Sequence, residues 1–299
     1  MVAAGDTDKV QIVLNGATIN CADSAPIYVK NADKVFLTLN KDTVNTLTDV
    51  SQYVQTDENT VDGVIYSKTD LAINGEGTLN ITANYKHGIV SKDDLVITGG
   101  TFNIKSEKDA LNGKNSKKIK DGTFNINSSN GKGMSSKNAD DTTKGYVYIA
   151  GGAITITNSV EGIEGTAIVV EGGTIDITSQ DDGFNAASAS TEANDTAGGP
   201  GTMEVDANCY VSIANGTIKV NASGDGLDSN GNIYISGGNI DVSGPTANNN
   251  GALDYNGTAD ITGGTIVAAG STGMAQDFSD TSTQCSLLSN LTTCILGLT

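Results

Sequence analysis

Gly100-Thr101-Phe102-Asn103-Ile104 and, 22 residues further on, Gly122-Thr123-Phe124-Asn125-Ile126 decide the fold of this chain. The same pattern returns, with one to four substitutions, at Gly77, Gly152, Gly173, Gly216, Gly238 and Gly264. From Gly77 onward the glycine spacings are 23, 22, 30, 21, 43, 22 and 26. A unit this short cannot bury its own apolar face and must stack on copies of itself. Within the phrase the apolar residues alternate with Thr and polar residues, so they share one face of a strand.

Two further strands fit in each repeat. One ends three residues before the glycine, as Leu95/Ile97, Val147/Ile149, Ile168/Val170, Val211/Ile213 and Ile233/Ile235. The other centres on one apolar residue 10 to 12 positions after the glycine: Ile89, Leu111, Met134, Ile163, Phe184, Leu227 and Met274. Weaker coils precede them around Ile12–Ile27 and Val35–Ile65. The expected fold is all-β, a right-handed parallel β-helix with three short strands per coil and roughly ten coils. Stacked strands lie about 4.8 Å apart, which makes a rod on the order of 45 Å long. A leucine-rich horseshoe would need a Leu/Asn consensus and a helical segment, and a hairpin sandwich would show no long period.

The period also locates insertions near 137–145 and 186–208, where the third strand is unusually far from the next inward residue. Insertions in a solenoid often serve its binding surface; the alternative is loose decoration. A single domain is expected over 1–284, with 285–299 a cap or a trimmed end. No stretch approaches the ~20 apolar residues of a membrane span, so no membrane insertion is expected. The start carries no charged-then-apolar leader, as in a mature or trimmed secreted form.

All 17 basic residues are Lys, and the net charge is −18, which makes nucleic acid a poor partner. The four cysteines have no CxxC spacing; a Cys285–Cys294 bridge stays open. His87 is the only histidine, so His-based triads and His-ligated zinc are excluded, and a structural role suits it. The charge is unevenly placed. Residues up to Lys144 carry 16 of the 17 lysines and a net −2, whereas the rest carries −16.

In that acidic part, oxygens recur at fixed coil positions beside the third strand: Glu161/Glu164, Asp182/Asn185 with the adjoining Asp181, and Asp225/Asp228. Asp109/Asn112 is an earlier echo, and Asp254 belongs to the next coil. Stacked like charges repel unless something neutralises them. Many hard oxygens without His or thiolate suit Ca²⁺, with one to three sites expected. Asp-Gly turns explain the first oxygen of each pair but not the second. Among the lysines, Lys30, Lys68, Lys92, Lys114 and Lys137 stand three residues after the apolar position, a cationic column that a polyanion would relieve. The bland alternative is lysine tips splayed into water. Tyr146, Tyr148, Tyr210 and Tyr234 occupy outward positions, where tyrosines can stack on sugar rings or cover a loop.

Several runs carry a resemblance. They are Leu14-Asn15-Gly16-Ala17-Thr18-Ile19-Asn20-Cys21, Ser24-Ala25-Pro26-Ile27-Tyr28-Val29-Lys30-Asn31-Ala32, Ile73-Asn74-Gly75-Glu76-Gly77, Asn84-Tyr85-Lys86-His87-Gly88-Ile89, Ser91-Lys92-Asp93-Asp94-Leu95 and Thr143-Lys144-Gly145-Tyr146-Val147-Tyr148-Ile149. With them the chain, up to about Asn290, resembles the clostridial carbohydrate-binding domain family of secreted parallel β-helix proteins. The resemblance implies a fold similar to pectate lyases, bound calcium, and binding of cellulose and acidic pectic sugars such as polygalacturonate. Relatives commonly read Asp-Gly-Ile at the third strand; here His87, Ala110 and Lys132 depart from it, which weakens the implication of calcium in the first coils.

The expected function is noncatalytic binding of plant cell-wall polysaccharide by a secreted or cell-surface monomer, with calcium linking protein and uronate carboxylates. Two alternatives stand beside it. A calcium-dependent pectate lyase would need a Lys base, and Lys108, Lys132 and Lys137 lie nearest the acidic column, where carboxylates favour the charged amine. A structural cell-surface solenoid would need no ligand.

Overall fold

The computed structural model describes residues 1–189 and 204–291. Its strands form three ten-stranded parallel sheets, each strand pairing with the one three places along the chain. This is a right-handed parallel β-helix, the hand that parallel crossovers adopt. Sheet A contains the short strands Leu111–Gly113, Met134–Ser136, Ile163–Gly165, Phe184–Ala186, Leu227–Ser229 and Leu253–Tyr255. Sheet B contains Ser116–Ile119, Tyr146–Ile149, Ala167–Val170, Tyr210–Ile213 and Asn232–Ile235, and sheet C contains Thr101–Ser106 and Thr123–Ser128.

Equal repeat length gives unslipped register. Phe102 pairs with Phe124 and Ile104 with Ile126, so like residues stack inside the tube. The rings of Phe102 and Phe124 are 4.9 Å apart and 5° from parallel. The phrase-opening glycine has a conformational reason. It ends the three-residue corner from sheet B to sheet C with positive φ, 109° at Gly100 and 134° at Gly122. A Cβ at Gly122 would also come within 3.1 Å of the Gly100 carbonyl oxygen.

That corner keeps its length through the repeats from Gly100 to Gly264, while the corners at the two ends of sheet A vary. The 137–145 insertion leaves the end of Met134–Ser136 and returns at Tyr146–Ile149. The 186–208 insertion leaves Phe184–Ala186 in the same way; its residues 190–203 lie outside the described part. A third insertion, 49–62, enters sheet A before Gly63–Ser67 and has no counterpart in the sequence reading. It covers the lower end of that sheet with a second apolar cluster of Tyr28, Tyr53, Tyr66, Val61 and Val90. Only the upper part of sheet A is left uncovered by this loop.

Two positions depart from expectation. Met274 is not a core residue: it lies outside any strand and is 44% exposed, and Leu253 takes the inward place above Leu227. In that coil the Asn-rich entry Asn248-Asn249-Asn250-Gly251-Ala252 sets the inward residue 15 positions after Gly238 instead of 10 to 12. Conversely Lys117, in register with Leu95 and Val147, points into the tube and is 0% exposed. Its ammonium donates to the carbonyl oxygens of Leu111 and Ser135.

Burial pushes the Lys117 amine down to about 7. Between about pH 7 and the ordinary lysine value near 10.4, the unfolded chain therefore holds a proton that the folded chain has lost. Stability contributed through Lys117 rises across that interval, by up to about 1.4 kcal/mol per pH unit. Urea unfolding of wild type and Lys117→Met from pH 7 to 10 is expected to show the rise in the former and its loss in the latter. Parallel curves would contradict the assignment.

Among the described residues Cys21, Cys209 and Cys285 form no disulfide, and Cys294 lies outside them. No described helix is long and apolar enough to cross a membrane. Residues 279–284 brace the last coil, with Ser279 N–H donating to the Ala259 carbonyl and Gln284 N–H to that of Ile261.

Candidate functional site

Two columns of polar side chains run up the outside of sheet A. The strand centre places Asn112, Ser135, Glu164, Asn185, Asp228 and Asp254 in direct register. The residue entering each strand gives the second column, His87, Asp109, Lys132, Glu161, Asp182 and Asp225, linked by amide-to-carbonyl bonds between coils. Every sequence-predicted oxygen ligand therefore lies on or beside one face. The strands put them there because outward positions repeat with each coil.

The face divides chemically. In the lower coils the carboxylates already have partners. Asp109 Oδ2 accepts from Asn112 Nδ2 at 2.9 Å, and its Oδ1 accepts from the Lys132 amide at 3.0 Å. His87 Nδ1 lies 3.6 Å from Asp109, and burial lowers the imidazole below its ordinary value, which keeps it neutral. Glu164, 0% exposed, receives Lys132 Nζ on Oε2 and Lys137 Nζ on Oε1, each at 2.6 Å. Lys132 also approaches Glu161 at 3.8 Å. Although burial pulls the Lys132 amine down, Glu164 and Glu161 push it up overall. Calcium at Glu161/Glu164 or Asp109/Asn112 would have to displace these cations and donors, so the calcium expectation passes to the coils above.

There the neutralising lysines stop. Burial, then the neighbouring carboxylates, raise Asp182 to about 7 and Asp225 to about 6, and hold Asp228 well above the ordinary range. Burial also raises Asp254. Asp182 Oδ1 accepts from the Asp225 amide at 2.7 Å, and Asp225 Oδ1 from that of Gly251. A Cβ added at Gly224 would lie 2.4 Å from Asp181 Oδ1 and 2.5 Å from Asp182 Oδ1, so two carboxylates converge on one small space. Asn185 Oδ1 is buried nearby without a hydrogen-bond partner.

These donors fit a hard cation in kind: several oxygens, excess negative charge, no soft ligand. They do not enclose one, because no three acidic, His or Cys groups among the described residues converge closely enough. Since calcium takes 6 to 8 oxygens, most positions around it would remain for water or a ligand's own oxygens.

The lysine column exists in the backbone register, but it is not a bare cationic ladder. Lys30 pairs with Asp57 at 3.1 Å, Lys92 with Asp62 at 3.6 Å, Lys114 with Asp140 and Lys137 with Glu164. Lys92 also lies 5.3 Å from the centre of the Tyr66 ring. Local carboxylates, invisible to a spacing argument because three of them sit in insertions, already neutralise four of these five lysines.

The tyrosines belong to another face. Tyr146, Ala167, Tyr210 and Asn232 form one outward column of sheet B, and Lys118, Tyr148, Val169, Ser212 and Tyr234 the next. Tyr210 and Tyr234 have ring centres 6.3 Å apart, tilted by 59°. Tyr148 donates its hydroxyl proton to Glu171, and Lys118 Nζ lies 5.2 Å from the Tyr146 ring centre.

Comparison with known proteins adds three findings. A family model described as carbohydrate-binding domain-containing protein matches residues 1–251. A carbohydrate-binding domain-containing protein of Acetivibrio thermocellus is 36% identical over 108 residues, covering 36% of this chain and 38% of that relative's length. A solved structure described as a polysaccharide lyase-like protein from C. thermocellum, in a gadolinium derivative, is 24% identical with a TM-score of 0.42, covering 93% of this chain and 78% of that one.

Proposed function

We propose, from the premise that this chain belongs to the carbohydrate-binding domain-containing protein family, that it binds cell-wall polysaccharide outside the cell without cleaving it. Its targets are an acidic pectic chain such as polygalacturonate and neutral cellulose. The observation that carries the acidic half is the set Asp181, Asp182, Asn185, Asp225, Asp228 and Asp254, without a neutralising lysine, on the part of sheet A beyond the 49–62 loop. An acidic protein and an acidic polymer repel unless a cation stands between them. Calcium supplies that positive charge when bound. Asp181, Asp182 and Asp225 would hold it from the protein side, and the open positions would accept a uronate carboxylate. The variable corners and insertions flank this same sheet, as expected of a binding surface.

The lyase alternative needs an amine able to take a proton, and the lysines near the face are engaged. Lys132 sits charged between Glu161 and Glu164, Lys137 binds Glu164, and Lys108 Nζ donates to the Asn130 carbonyl at 3.0 Å. Lys117, the one amine with a lowered value, is sealed inside the tube. This supports binding over elimination.

Incubation with insoluble polygalacturonate tests the reading. Retention with millimolar Ca²⁺, its loss in EDTA, and no rise in ultraviolet absorbance from an unsaturated product are expected. The Asp182→Asn/Asp225→Asn variant is expected to lose at least tenfold in retention, about 1.4 kcal/mol. Accumulating product would establish a lyase instead. Undiminished retention of the double variant in EDTA would remove calcium from the account.

A further inference from the structure

Sheets A and B adjoin, yet their outward chemistry is different. The 137–145 insertion rises from the end of a sheet A strand and comes down at Tyr146, the first residue of a sheet B strand. It is tied in place: Asn138 is buried and donates to Asn115 Oδ1 at 2.6 Å, and Gly145 N–H donates to the Asn115 carbonyl at 2.7 Å. The 186–208 insertion begins and ends at the same corner two coils higher. The carboxylates and the tyrosines therefore lie on different sheets of the solenoid.

Sheet B also has its own charge balance. Its outward strand positions carry three lysines, Lys9, Lys34 and Lys118, against three aspartates, Asp70, Asp94 and Asp260. Lys34 and Asp70 pair directly at 3.4 Å. Within a molecule of net charge −18 this face is neutral overall. Its aromatic part, from Tyr146 to Tyr234, extends over four coils, about 14 Å along the rod. Ala167 and Val169 fill the coil between the tyrosines, and Tyr234 is 40% exposed. Apolar rings on a surface with little net charge suit a pyranose chain that presents axial hydrogens and no ionised group. A polyuronate would meet one lysine there, Lys118 beside Tyr146, and the Glu171 carboxylate held by Tyr148.

We propose that one molecule holds two polysaccharide chains at once, an acidic chain on sheet A and a neutral β-linked chain on sheet B, and so cross-links them. The sheet A half rests on the calcium reading above; the sheet B half does not. The two faces act independently because they belong to different sheets and no side chain is shared between the two binding sets.

The test uses the full chain with microcrystalline cellulose and soluble fluorescent polygalacturonate. With calcium, the protein is expected to bring the soluble polymer down with the cellulose at least tenfold above the protein-free level. Capture should fall again at excess protein, when each polymer binds separate molecules. Tyr146→Ala/Tyr210→Ala/Tyr234→Ala is expected to lose cellulose retention and capture while keeping retention on polygalacturonate, which also reports that it is folded. Asp182→Asn/Asp225→Asn is expected to do the reverse. Displacement of the protein from cellulose by soluble polygalacturonate would mean one shared site and overturn the proposal alone. Undiminished cellulose retention by the tyrosine variant would overturn the sheet B half. Failure of wild type to bind polygalacturonate by itself, with cellulose retention intact, would sink the calcium reading and the cross-link with it.

Discussion

Replacing Lys132 and Lys137 together by methionine will lower stability by about 3–5 kcal/mol at pH 8, the cost of leaving a buried charge without its partner. Glu164 is fully buried, and both of its oxygens meet an ammonium at 2.6 Å. Methionine keeps most of the side-chain volume, so the loss is mainly electrostatic. The pH dependence separates this cause from a packing defect. Without the lysines, Glu164 in the folded protein takes up a proton far above the ordinary Glu value near 4.3. The folded state then binds more protons than the unfolded one, and stability falls as pH rises through that interval. Urea unfolding at pH 5 and pH 8 is therefore expected to show a large deficit at pH 8 and a small one at pH 5. Adding Glu164→Gln to the double variant should shrink the difference between the two pH values, leaving the part due to Glu161, which also loses Lys132. An equal deficit at both would make the lysines packing residues only.

Phe124→Ala will cost about 3–5 kcal/mol, the usual range for deleting a buried ring. Phe124 is fully buried and lies flat against Phe102 inside the tube. Neighbouring coils are held in register on both sides, so the cavity has little freedom to collapse. Removing Phe102 as well is expected to cost less than the sum of the single losses, by about 0.5–1.5 kcal/mol, because the stacked pair is lost once. Urea midpoints of the two single variants and the double variant measure this. Strict additivity would mean that the parallel rings contribute only through their separate burial.

The fold was readable because every coil repeats the same two physical demands. Apolar residues alternate along each strand, and from Gly100 to Gly264 a glycine with positive φ ends each corner from sheet B to sheet C; both survive stacking unchanged. Asp181, Asp182, Asp225 and Asp228 were readable for the same reason, since outward residues at equal coil positions must lie above one another. The reading lapsed where repetition lapses. The 49–62 insertion interrupts a weak coil, and after the strand Thr265–Ala269 the chain leaves the solenoid, so Met274 takes no inward place. Lys117 follows the polar-apolar alternation poorly, because its long stem lets the amine reach backbone carbonyls from an inward position.

Spacing along the chain thus determined the solenoid, its three faces, and which residues form columns. It could not determine which columns are neutralised. That depends on Lys132 and Lys137 reaching Glu164, on Asp57 and Asp140 reaching Lys30 and Lys114 from insertions, and on the absence of such partners around Asp182 and Asp225. Period is a property of one strand position, whereas charge pairing and separation depend on side chains from different coils and corners meeting in space.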